Sequence, residues 1–280
     1  MVSVILVMPQ FLDRFPEVGE GGGFQKGLLT AMIEAGALIG ALNQGWIADK
    51  LSRKYSIVVA VIIFIIGSIL QTSATDYTML TSARFVGGVG IGMLSMVVPL
   101  YISEISPPSI RGTLLAIEEL SIVTGIVIAF WTTYGTLRIP SEWSWRLPFL
   151  LQVPFGLVLG VGIIYLPFSP RWLCSKGRDD EALLALSKLR QLPTTDRRVR
   201  REWLDIRAEV ALHADISAER HPDLQERTVG NIIKLEIVGW TALFDHGSWR
   251  RTFVGTGIMF FQQVSHFNLT HASILLTNSM

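Results

Sequence analysis

Six stretches of roughly 20 predominantly apolar residues dominate this chain, at about 27–47, 56–74, 78–102, 113–135, 146–168 and 251–273. A helix rises about 1.5 Å per residue, so each is long enough to cross a hydrocarbon core about 30 Å thick. The run from Ile57 to Ile66 has no polar face and reads as buried or lipid-facing. Composition agrees: half of the 280 residues are hydrophobic, 17% are charged, and mean hydropathy is +0.44. A soluble domain of this length is not expected. Met1 to Leu12 is also apolar but too short to span, and it reads as the last part of a helix whose beginning is missing.

The charges are concentrated. Of the 24 Lys and Arg, 15 lie between Arg171 and Arg251. Basic residues also follow the first full span (Lys50, Arg53, Lys54) and the third (Arg111), whereas the intervening loops carry few. Alternate loops are therefore positive, which places them in the cytoplasm. The net charge of +1 gives no reason to expect nucleic acid as a partner.

Between Pro170 and Arg250 apolar residues recur at three- and four-residue spacing on charged backgrounds, predicting two to four amphipathic helices outside the membrane. The expected organisation is an N-terminal transmembrane bundle over 1–168, a cytoplasmic helical linker over 169–250, and a further span from 251 to 280. The fold class is all-α and polytopic. A lone cysteine, Cys174, excludes a disulfide framework and a cysteine metal site. The five histidines show no metal spacing, and nothing supplies a nucleophile or cofactor loop. Neither an enzyme nor a cofactor is expected.

Several motifs narrow the class. Gly45-Trp-Ile-Ala-Asp49-Lys-Leu-Ser-Arg53-Lys54 joins the first two full spans, and Pro99-Leu-Tyr101-Ile-Ser-Glu104-Ile-Ser-Pro107-Pro-Ser-Ile-Arg111-Gly112 closes the third. Arg84-Phe-Val-Gly-Gly-Val-Gly-Ile-Gly92, Trp145-Arg146, Ser169-Pro-Arg-Trp-Leu173 and Gln262-Gln263-Val-Ser-His-Phe-Asn268 follow in order. Together they resemble the sugar porter family of the major facilitator superfamily, closest to fungal monosaccharide transporters. With the N-terminal remnant counted as membrane helix 1, the full spans are helices 2 to 7 of an incomplete major facilitator fold. The glycines from Gly87 to Gly92 lie within a span and read as a helix-packing surface rather than a nucleotide loop.

The resemblance implies a transporter that takes a hexose-class sugar, and protons with it, across the bilayer by alternating access. A sugar needs planar donor–acceptor groups, and Gln262, Gln263 and Asn268 supply them on helix 7. By analogy with the family, a sugar-contacting position falls at Glu119, beside Glu118. A carboxylate there is also a candidate proton carrier. Arg84 corresponds to half of a coupling pair whose aspartate belongs to the part of helix 1 that is not in this sequence. Asp49, Arg53, Glu104, Arg111 and Arg171 would form a cytoplasmic charge network that latches the outward-facing state. Departures are Phe168, where the family has Glu, and His266, where it has Gly. Asn268-Leu-Thr270 matches a glycosylation sequon, but it lies in a span, and no modification is expected. The chain reads as truncated and inactive by itself. A non-transporting membrane sensor is the alternative, and the expected site is the plasma membrane.

Overall fold

A computed structural model of the chain describes residues 2–19, 21–220, 234, 238–241, 244–245 and 247–261, and no strand occurs among them. Contacts divide the chain into two compact units, Met1–Leu212 and His213–Met280.

In the first unit, α1 (Val2–Ile5) and α2 (Pro9–Arg14) precede a 3₁₀ turn, Pro16–Val18. The expected single remnant of helix 1 is thus broken. Pro9 has no N–H to donate to Ile5, and it starts α2 instead, after an extended Met8. α3 (Gly23–Leu51), α4 (Arg53–Thr72), α5 (Tyr77–Ile105) and α6 (Arg111–Thr136) follow. α7 (Trp143–Leu150) and α8 (Gln152–Tyr165) together make one further span, interrupted next to Pro154. α4, α5, α6 and the α7–α8 pair are each long and apolar enough to cross a membrane. α3, with 29 residues, is long enough too, about 43 Å, but it carries Glu34, Asn43 and Gln44.

α3 and α5 run in the same direction in close contact, and glycines make this possible. Gly36 and Gly40 of α3 face the backbone at Phe85 and Val89, while Gly88 and Gly92 of α5 face the backbone at Ile33 and Ala37. A Cβ at any of the four would collide with main-chain atoms, so two Gly-x-x-x-Gly ladders interlock. Across the other face of α5, Gly67 of α4 meets Gly87 in the same way.

One end of the bundle is closed by an aromatic cluster. Phe11 and Phe15 meet Trp145 edge-on at 5.8 and 5.4 Å, with Phe149, Leu29 and Leu80 packed around them. Next to Trp145, Arg146 donates to the carbonyls of Thr72 and Ala74, which close α4. The Trp-Arg pair is therefore a plug and a helix cap.

At the opposite end lie α9 (Pro170–Ser175), α10 (Asp179–Arg190) and α11 (Arg197–Arg220). Ser169 caps α9 by accepting from the Trp172 N–H, and Pro170 occupies the first turn, which explains the Ser-Pro-Arg-Trp motif. α10 starts with Asp179, Asp180 and Glu181 and ends with Lys188 and Arg190, in the sense its dipole favours. Trp172, Leu173, Ala182 and Ala185 form a small core with Trp203 and Ile206. In the second unit, residues 249–261 are helical, which overlaps the first part of the expected helix 7.

Candidate functional site

The turn between α3 and α4 builds the first half of the site. Ser52 takes φ 91° and ψ 155°, a region that favours glycine, and its hydroxyl accepts from the Tyr55 N–H. This sharp reversal sets Arg53 back against the end of α3. Its Nη1 donates to Asp49 Oδ1 at 2.6 Å and to the Ala48 carbonyl at 3.2 Å. Its Nε donates to Glu104 Oε1, at the end of α5, at 3.1 Å. The Glu104 side chain is only 3% exposed and that of Arg53 12%, so this pair is out of water, whereas Asp49 is exposed. Glu104 Oε2 is buried with no hydrogen-bond partner among the described residues.

Around this pair the helix ends are laced together. The Tyr101 hydroxyl donates to the Pro167 carbonyl at 2.6 Å, and Trp172 Nε1 donates to the Asp49 carbonyl at 3.0 Å. Arg190 of α10 donates to the Ile105 carbonyl at the end of α5 and holds Glu202 of α11 at 2.6 Å. Lys54 donates to the carbonyls of Ile164 and Leu166, closing α8.

Of the five residues expected in the charge network, the structure brings Asp49, Arg53 and Glu104 together. Arg171 pairs instead with Glu209 of α11. Arg111, the first residue of α6, is exposed and has no ion-pair partner among the described residues.

The second half of the site lies within the span. Arg84 is 2% exposed, and its Nε has no hydrogen-bond partner among the described residues. Among the described residues no carboxylate is in an ion pair with it, and Glu34 of α3 is exposed. Ile33 and Gly36 touch α5 at Gly88 and Phe85, which puts Glu34 at the level of Arg84 on the neighbouring helix. Glu119 is exposed on α6 and Glu118 half-buried. Nearly the whole apolar length of α6 is exposed, with Thr133 and Thr136 its buried residues. Gln262, Gln263, His266 and Asn268 lie outside the described residues.

Sequence reasoning passed over Glu34, although a lone carboxylate in an apolar span is costly and was signal enough. Arg190 carried no such signal and looks like ordinary charge at a helix end, and the motif that contains Lys54 gave no sign of its contact with the end of α8.

The described residues thus form a bundle of long apolar helices, tied at its basic end by a buried arginine–glutamate pair and holding an arginine in its interior. The profile of the "Sugar (and other) transporter" family matches residues 1–271, and the chain belongs to that family. It is therefore an integral, multi-pass membrane protein rather than an enzyme. Over 274 residues it is 34% identical to a probable glucose transporter of Neurospora crassa, rco-3, covering 95% of this chain and 43% of that protein. A high-affinity glucose transporter of Schizosaccharomyces pombe, ght2, is 31% identical over 92% of this chain and 46% of its own length. The chain thus spans about half the length of these curated relatives.

Among solved structures, the proton:xylose symporter XylE, a major facilitator protein bound to 6-bromo-6-deoxy-D-glucose, superposes with a TM-score of 0.70 at 22% identity. The match covers 79% of this chain and 50% of that one. A partially occluded, inward-open form of the Escherichia coli protein gives 0.66 over 79% and 57%. These likenesses establish the major facilitator fold.

Proposed function

We propose that this chain supplies one rocking half of a monosaccharide transporter of the plasma membrane, which moves a hexose together with a proton by alternating access. The observation that carries the reading is the buried Arg53–Glu104 pair, which joins the turn after α3 to the end of α5. Such a pair holds the cytoplasmic helix ends together, and a change that opens this side must strand a carboxylate in a dry place. Among the described residues Glu104 Oε2 has no donor, and an arginine such as Arg111 is the group it suits.

In this reading the exposed apolar surface of α6 faces the second half, and Glu119 lies at the sugar path between them. Gln262, Gln263 and Asn268 hydrogen-bond the sugar. Arg84 is the coupling cation, and Glu34 provides the anion that the buried charge requires. Arg171 contributes to the cytoplasmic network through α11 rather than by direct contact with Glu104. The relatives named above are described as transporters, and no observation favours the sensor reading.

The test is uptake of radiolabelled glucose in yeast lacking its own hexose carriers. The chain is expressed alone and together with the C-terminal half of the S. pombe relative. Uptake should require both halves and should fall to background when a protonophore is added. Glucose uptake that ignores the protonophore would remove proton coupling. No uptake from two halves that reach the membrane together would remove the transport reading.

A further inference from the structure

We propose that the junction of α4, α8 and α10 is a binding site for an anionic phospholipid of the cytoplasmic leaflet, whose phosphate sits between Lys54 and Lys188. A cavity of about 670 Å³ opens there, lined by Lys54 at the start of α4, by the last turn of α8 and by one face of α10. Its walls are apolar near the membrane: Ile164 and Tyr165 on α8 are 59% and 84% exposed, and Leu184 on α10 is 54% exposed. Apolar walls on an exposed rim suit an acyl chain and the glycerol region better than a hydrated soluble ion.

The charge in the cavity is positive and uncompensated. Lys54 Nζ gives two of its three N–H bonds to the Ile164 and Leu166 carbonyls, at 2.7 and 2.8 Å, which leaves one for a ligand. Among the described residues neither Lys54 nor Lys188 is in an ion pair. The one carboxylate on the lining, Glu181, is already held by Arg178 through two hydrogen bonds, at 2.7 and 2.5 Å.

Phe168 completes the case. Its ring lies near two cations, 5.1 Å from Lys54 Nζ and 6.0 Å from the Arg178 guanidinium, and it stacks on Trp172. A carboxylate at this position would neutralise the cations from within the protein. With phenylalanine there, the balancing anion has to come from outside. The headgroup layer on the positive side of the membrane is where anionic lipid is concentrated. A lipid in this place would brace α10 against the bundle, one residue from Arg53.

The experiment uses the full chain purified in detergent, with bound lipid counted by native mass spectrometry during titration. The probes are phosphatidylserine, phosphatidylcholine and inorganic phosphate. Phosphatidylserine should bind about tenfold more tightly than phosphatidylcholine, and millimolar inorganic phosphate should not displace it. Lys188→Glu, an exposed substitution that leaves the fold intact, should abolish this preference, as should Phe168→Glu. Arg201→Glu, on an exposed position of α11, should not. Equal binding of the two lipids, or a preference that survives Lys188→Glu, would overturn the site. Displacement by inorganic phosphate would overturn the lipid assignment in favour of a soluble anion. None of these readouts depends on transport.

Discussion

Arg53 and Glu104 are the residues on which the basic end of the bundle depends. Truncating one member of a buried ion pair leaves the other charged and dry, which costs about 3–5 kcal/mol. Arg53→Ala should therefore lower thermal stability sharply in detergent. Glu104→Gln should cost much less, because Arg53 keeps Asp49 and the Ala48 carbonyl and the amide oxygen can still accept from it. Equal losses for the two variants, measured by fluorescence-detected unfolding, would show that the pair acts through packing alone. Ser52 offers a test of the opposite sign. Its φ of 91° is relaxed by glycine, so Ser52→Gly should match or exceed the native stability, while Ser52→Val should cost about 2 kcal/mol. Cys174 is shielded: burial above all, with Asp179 beside it, pushes its thiol up to about 11. The reactive thiolate is accordingly scarce at neutral pH and grows only as pH rises towards that value. Maleimide should label the folded chain slowly at pH 7.5, faster as pH is raised, and at once after denaturation in SDS. Rapid labelling of the folded chain at neutral pH would contradict this.

The helices were legible to different degrees. Long apolar runs place α4, α5 and α6 within a few residues of their ends, because hydrocarbon thickness sets span length directly. The motif residues Asp49, Arg53 and Glu104 could be placed on one side of the membrane from sequence, although their contact depends on the reversal at Ser52. The break at Pro9 and the interruption between α7 and α8 were not anticipated, since apolar composition hides a local loss of hydrogen bonding. Nor could the sequence tell that Arg171 turns to Glu209 on α11, because that partner lies 38 residues away on a helix whose register no motif fixes. The glycines of α5 were readable as packing surface but not their partners on α3. Gly92→Ala tests that element directly: its Cβ meets the Ala37 backbone, so the helices must separate at a cost of about 1–3 kcal/mol. Gly112→Ala, where a Cβ meets nothing, is the matched control. If both variants melted at the native temperature, the interlocked ladders would not be holding α3 against α5.

For the whole molecule, the described residues of the chain include helices long and apolar enough to cross a membrane, followed by the shorter α9 and α10 and the amphipathic α11, and the chain covers 43% and 46% of the two curated relatives named above. Alternating access needs two such halves around one site, so transport should appear when a second half is supplied. Counterflow in proteoliposomes measures this most directly: vesicles loaded with unlabelled glucose are diluted into labelled glucose, and a transient overshoot of label reports a carrier. Vesicles holding this chain with the C-terminal half of the S. pombe glucose transporter should overshoot, and vesicles holding either half alone should not. If the two halves co-purify as a folded complex and the label enters no faster than in empty vesicles, the chain is not half of a sugar carrier.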